Sequence, residues 1–201
     1  MQVKAFCTGT FGVRASQHLR PAVAVSRDAS DVASLSGCDL LVAIMDGEDD
    51  QLAGTLDQRS FLTGIAWFPV VLAFPAIRVG PVVVPGASAC YACYQARRWQ
   101  RDPLAEISQA VLASKAPDPP GFFPHHALLA GALINKLLSD IDLHGLVGSA
   151  GCVRTMVLPD GQLHASRAVG IDRCPRCSFR FESRRAAARD QLRHVAAPQW
   201  L

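Results

Sequence analysis

Short apolar runs alternate with amphipathic stretches along the first half of the chain. "VKAF" (3–6), "AVAVS" (22–26) and "CDLLVAIMD" (38–46) read as strands, and "WFPVVLAF" (67–74) and "IRVGPVVVPG" (77–86) as two more. The third is a continuous apolar run ending in an acid, the pattern of a parallel strand covered on both faces. Between these runs, "GVRASQHLR" (12–20) reads as a helix, "DASDVASL" (28–35) as a short capped helix, and residues 48–64 as an acidic helix. Strand and helix in alternation predict an α/β fold built on a doubly wound, mostly parallel sheet.

The second half changes in character. "LAEISQAVLASK" (104–115) has helical periodicity, and the proline-rich "APDPPGFFPHH" (116–126) interrupts it. "ALLAGALINKLLSDI" (127–141) has so few polar positions that it reads as a helix buried on nearly all sides, against the sheet, another helix or a second subunit. "CVRTMVLPDGQLHASRAV" (152–169) reads as a hairpin turning at Pro-Asp-Gly. After Cys177 the arginines Arg180, Arg184, Arg185, Arg189 and Arg193 recur at helical steps. They form a solvated face or a contact for an acidic peptide or protein partner. Residues 1–183 read as one domain and 184–201 as a basic tail.

Composition narrows the function classes. With 201 residues, 50% hydrophobic and 18% charged, the chain has ample material for a core. A net charge of +3 is too small to imply a nucleic-acid partner. The N-terminus lacks the pattern of an export signal, and no run reaches the roughly 20 apolar residues of a membrane span. A cytoplasmic protein with no membrane partner is expected.

Seven cysteines in such a chain are better read as thiols or metal ligands than as a disulfide framework. Cys90 and Cys93 form one Cys-x-x-Cys, and Cys174 and Cys177 form a second. Two such pairs suit a tetrahedral tetrathiolate zinc site that leaves no ligand position open for water, so a structural Zn2+ is predicted. It would staple the middle of the chain to the C-terminal hairpin region. The alternative, one redox pair and one incidental pair, lacks the setting of a helix start after the first strand of a small fold. Cys7, Cys38 and Cys152 read as buried free thiols, with thiol-carrier chemistry the alternative. His125 and His126 read as caps for the helix that follows them, with peptide orientation or proton transfer the alternative.

"CTGTFG" joins the first strand to its helix as a Gly-x-Gly-x-x-Gly turn in which Cys7 replaces the first glycine while Gly9 and Gly12 remain. Asp28, after the second strand, stands where a ribose-binding acid would be, and Asp46 ends the third strand. The sheet is therefore Rossmann-like with a degenerate nucleotide loop. A cysteine side chain in that turn takes space a phosphate would need, so ATP is not an expected cofactor.

Together, this turn, the acid-ended strand, "VGPVVVPGASACYACYQARR", the proline-rich loop before an apolar helix, and "CPRC" near the end resemble the ubiquitin-activating-enzyme-like superfamily of ThiF and MoeB. The likeness covers most of the chain. It is greatest to the ThiF-like proteins that work beside YcaO cyclodehydratases in azoline-forming ribosomal peptide pathways. The resemblance implies a non-catalytic zinc-bearing scaffold that binds or presents a precursor peptide, while the YcaO partner carries ATP and the chemistry. It also implies a homodimer, or a heterodimer with a related subunit. In that superfamily the position of Asp46 holds a metal-binding or catalytic acid. An N-terminal winged-helix peptide clamp, common in such proteins, is not expected before the first strand. The competing reading is an adenylyltransferase that activates a peptide or ubiquitin-like C-terminal carboxylate, and it requires an intact glycine turn.

Overall fold

The structure, a computed structural model, describes residues 1–27, 37–113 and 121–178. Strands β1 (Val3–Cys7), β2 (Val23–Ser26), β3 (Leu40–Met45), β4 (Ala66–Ala73), β5 (Ala76–Val79), β6 (Cys152–Val157) and β7 (Leu163–Arg167) form one sheet ordered β2-β1-β3-β4-β5-β6-β7. The described helices are α1 (Gly9–Ser16), α2 (Asp50–Thr63), α3 (Tyr91–Arg101), α4 (Ala105–Ala113) and α5 (Pro124–Gly148). β2, β1, β3 and β4 pair in parallel, and β5, β6 and β7 continue the sheet through antiparallel pairings. β6 thus points the same way as the parallel four, and the fold is the mixed, mostly parallel α/β sheet that the alternation predicts.

Apolar residues on both faces of the central strands explain their unbroken hydrophobic runs. On one face Val42, Ile44, Phe68 and Val70 pack against Phe11 and Ala15 of α1 and Ile134, Leu137, Leu138 and Ile141 of α5. On the other, Phe6, Leu41, Ala43 and Trp67 pack against Ala53 and Leu56 of α2 and Tyr91 of α3. Full burial of one such side chain stabilises the fold by about 1.5–3 kcal/mol. Because β2 and β3 flank β1 on opposite sides, the C-terminal ends of β1 and β3 form a topological switch point, the usual ligand crevice of such sheets.

Three expectations change. The run 77–86 is not one strand: β5 stops at Val79, since Pro81 has no N–H for the ladder. Val83 then turns back to bond Trp67 in an isolated bridge. The first helix occupies 9–16 rather than 12–20, starting inside the glycine turn. The apolar helix at 127–141 lengthens to Pro124–Gly148, with a break at Gly145 (φ 74°, ψ 166°), and is buried on one face only, through positions such as Ala130, Ile134, Leu137 and Ile141. Its outer side carries Lys136, Ser139, Asp142 and His144, along with Leu128, Leu143 and Val147. The hairpin appears as β6 and β7, as predicted. The helix expected at 28–35 lies outside the described residues.

Candidate functional site

Four sulfurs converge where the sequence placed them. Cys90 ends the loop after Val84 and caps α3, Cys93 sits in the first turn of that helix, and Cys174 and Cys177 occupy the turn that follows β7. All four Sγ atoms lie within 4.8 Å of one another. Cys90 and Cys174 sulfurs are 3.6 Å apart, and those of Cys93 and Cys177 3.5 Å. An ion with metal–sulfur bonds of about 2.3 Å in a tetrahedron needs sulfurs about 3.8 Å apart, so the cluster fits a metal ion with little adjustment. A tetrahedral S4 donor set suits zinc or an iron–sulfur centre.

The surroundings differ between the thiols. Burial pushes Cys90 far up and Cys93 up to about 11. At Cys174 burial pushes the same way, but hydrogen bonds from Cys177 and Arg176 N–H outweigh it and bring the thiol down to about 7. Ile171 N–H also donates to Cys93 Sγ at 3.4 Å, and Ser178 N–H closes the turn on Cys174 O at 3.0 Å. Protons on the sulfurs must leave for a metal to bind, so occupancy falls as pH falls.

A second latch lies beside the cluster, and the sequence reading missed it. Asp57 of α2 is fully buried, and its carboxylate accepts the N–H groups of Tyr91 (2.9 Å) and Ala92 (3.5 Å) at the start of α3. Arg176, between the two C-terminal cysteines, pairs with the same carboxylate. The "CPRC" turn is therefore tied to α2 and α3 by an ion pair as well as by sulfur. Asp57→Ala leaves two N–H groups and a guanidinium without their partner. It is expected to lower stability by about 2–3 kcal/mol, read as a shift in urea midpoint at constant slope.

At the switch point, the glycine turn is already filled. Asp46 reaches over the start of α1: its Oδ2 accepts Thr10 N–H at 2.7 Å and its Oδ1 accepts Gly12 N–H at 2.9 Å. Those are the donors a helix N-terminus would offer to a phosphate. Gly9, at φ +62°, permits this approach, for a Cβ there would stand 2.0 Å from Asp46 Oδ2. A Cβ on Gly12 would stand 2.7 Å from Ile44 O, so this glycine lets α1 close onto β3. Cys7 ends β1 with its side chain in the core, and burial pushes its thiol up. The group that occupies the phosphate position is thus the carboxylate of Asp46, not the thiol of Cys7.

The same loop supplies a second carboxylate. Glu48, its side chain 5% exposed, receives Arg78 through two bonds of 2.5 and 2.8 Å and Arg98 through one of 2.6 Å. Arg78 also lies over the ring of Tyr94 and donates to Tyr91 Oη at 3.4 Å. Burial alone would raise the Glu48 carboxyl, but the two guanidiniums outweigh it and hold the group below its ordinary value. Asp46 thus takes up the first N–H groups of α1, and Glu48 the guanidiniums of Arg78 and Arg98.

His126 acts as the cap reading expected: its Nδ1 accepts Phe123 N–H at 3.4 Å where α5 begins, while His125 stacks on the Phe123 ring. Cys38 is buried and Cys152 half-buried, and neither belongs to the sulfur cluster. Asp28 and the arginines Arg180, Arg184, Arg185, Arg189 and Arg193 lie outside the described residues. No described helix is long and apolar enough to cross a membrane.

Fold and site together define a Rossmann-like α/β unit with a four-cysteine cluster able to hold a metal ion and a self-filled glycine turn. No family model and no curated protein matches the sequence. Solved structures share its fold at low identity. A heterocyclase in complex with substrate and cofactor superposes with a TM-score of 0.66 and 16% identity, over 87% of this chain and 25% of that one. The heterocyclase TruD gives 0.62 and 18%, over 87% and 27%. E. coli MccB, solved with MccA, gives 0.54 and 16%, over 77% and 45%. The chain thus spans between a quarter and a half of the length of each of these three structures.

Proposed function

We propose that the chain is a zinc-bearing, non-catalytic scaffold that binds or presents a ribosomal precursor peptide to a YcaO cyclodehydratase for azoline or azole formation, and that it works as a homodimer. The observation that carries this reading is Asp46 on the first turn of α1. An adenylating protein must seat a triphosphate there, and in this chain a carboxylate holds the Thr10 and Gly12 N–H groups in its place. Shared fold with heterocyclases and with MccB supports the peptide-modification setting. The four thiols are assigned to one structural zinc ion. It leaves no open coordination position, so its contribution is to fix the "CPRC" turn against α3, not to activate water.

Reconstitution tests the role. A YcaO cyclodehydratase given ATP and a Cys/Ser/Thr-rich precursor is expected to form azolines, each with loss of one water, markedly faster when this chain is added. An unchanged rate overturns the scaffold role. The arginines after Ser183 are assigned to an acidic leader peptide or to the cyclodehydratase. Capture of the partner should weaken between low and physiological salt, because exposed charges are screened over about 8–10 Å. Capture indifferent to both salt and truncation after Ser183 would remove the tail from the account.

A further inference from the structure

Among the described residues β7 is the last strand of the sheet, and all five of its residues are exposed. Its backbone bonding follows from the register. Val157 N–H donates to Gln162 O at 2.9 Å and Ala168 N–H to Gly151 O at 2.7 Å. Between these two bonded pairs the β6–β7 ladder alternates, so residues 164 and 166 bond to β6. The N–H and C=O groups of Leu163, Ala165 and Arg167 therefore point away from the sheet, along an edge without proline or bulge. Natural sheets usually protect such an edge, since it is a template for another strand.

Apolar side chains on β7 and on the nearby end of α5 are exposed as well. Leu163 is 51% exposed, and Leu143 and Val147, near the end of α5, are 75% and 71% exposed. Arg167 donates to Gly148 O at 3.0 Å and to Ala150 O at 2.9 Å, which places the end of α5 beside the end of β7. Leu163, Ala165 and Arg167 share the face of the sheet that α5 covers, because their partners Met156, Arg154 and Cys152 belong to that side.

"LHASR" is self-complementary under a two-fold axis at Ala165. Antiparallel pairing of two copies sets Ala165 opposite Ala165, Leu163 opposite Arg167 and His164 opposite Ser166, with no like charges opposed. The three outward-pointing residues fall in hydrogen-bonded positions, as the ladder requires. Each Leu163 then arrives beside Arg167 of the other copy, next to exposed Val147, so the same pairing covers apolar surface on both copies. We propose that β7 pairs antiparallel with β7 of a second copy of this chain about Ala165, joining two sheets into one continuous sheet across an isologous interface. This rests on the homodimer of the proposed function and assigns its surface.

Light scattering on the zinc-loaded full chain is expected to give twice the monomer mass, and the amides of Leu163, Ala165 and Arg167 should exchange more slowly as protein concentration rises. Ala165→Pro removes only an outward donor and should yield a monomer with unchanged metal content. Leu163→Lys, at an exposed position, should raise the dimer dissociation constant at least tenfold and serves if the proline variant fails to fold. A native monomer, a dimer that withstands both substitutions, or amides protected only by an added extended peptide would overturn the assignment. Capture of a YcaO partner is read separately: its failure removes the scaffold role and leaves the β7 dimer standing, and a monomer that still captures the partner removes the dimer and leaves the scaffold role standing.

Discussion

Serine in place of Cys90, Cys93, Cys174 or Cys177 is expected to release the metal and cause the largest loss of stability of any single exchange in this chain. Structural zinc contributes an apparent binding energy of about 10–16 kcal/mol in small zinc domains, and that energy becomes folding energy. Losing a third of it exceeds about 3 kcal/mol, a large share of the roughly 5–15 kcal/mol that holds a domain folded. The sheet keeps two apolar faces of its own, so the first region to loosen should be the turn holding Cys174 and Cys177, with the start of α3 following. Elemental analysis should find one zinc per native chain and less in each variant, and thermal unfolding should shift with metal content. Cys152→Ser, outside the cluster, provides the control and should retain its metal. A native chain that is metal-free and fully folded would refute the staple.

Loss of Glu48 ranks second. Glu48→Ala strands Arg78, 5% exposed, without the carboxylate that compensates its charge, and removing one partner of a buried pair costs about 3–5 kcal/mol. The paired change Glu48→Leu with Arg78→Met should recover most of that loss, since apolar replacement of a whole buried pair is often neutral. The native pair also makes stability depend on pH. The folded Glu48 carboxyl lies below its ordinary value of 4.5, so the unfolded chain binds the proton first. Its contribution is complete above that ordinary value and is lost as pH falls through the folded one. Urea midpoints taken from neutral to acid pH should fall less steeply in Glu48→Gln than in the native chain. Equal slopes would show that Glu48 carries no such linkage.

What could be read from sequence was whatever sits in local pattern. The continuous apolar runs of β3 and β4 announced strands covered on both faces, and the paired cysteines announced a four-sulfur cluster able to hold a metal ion, because residue type and spacing carry that chemistry. Asp57 and the Glu48–Arg78–Arg98 group were not legible. Their partners come from α2, β5, α3 and the C-terminal turn, and no local periodicity links them. Proline misled at 77–86, where an apolar run crosses a change of direction at Pro81. Composition misled at α5: Leu128, inside the apolar run 127–141, looks like a core residue yet faces outward. Asp46 drew attention as an acid at a strand end, but its role depends on the missing Cβ of Gly9, and only the three-dimensional approach reveals it.

ATP–pyrophosphate exchange by the isolated, zinc-loaded chain tests the central claim most directly. Exchange requires a triphosphate seated on the first turn of α1, where the Asp46 carboxylate now holds the Thr10 and Gly12 N–H groups. The expected result is no exchange above the enzyme-free rate, with or without precursor peptide. Peptide-dependent exchange by the native chain would contradict the scaffold reading and establish an adenylating enzyme in its place.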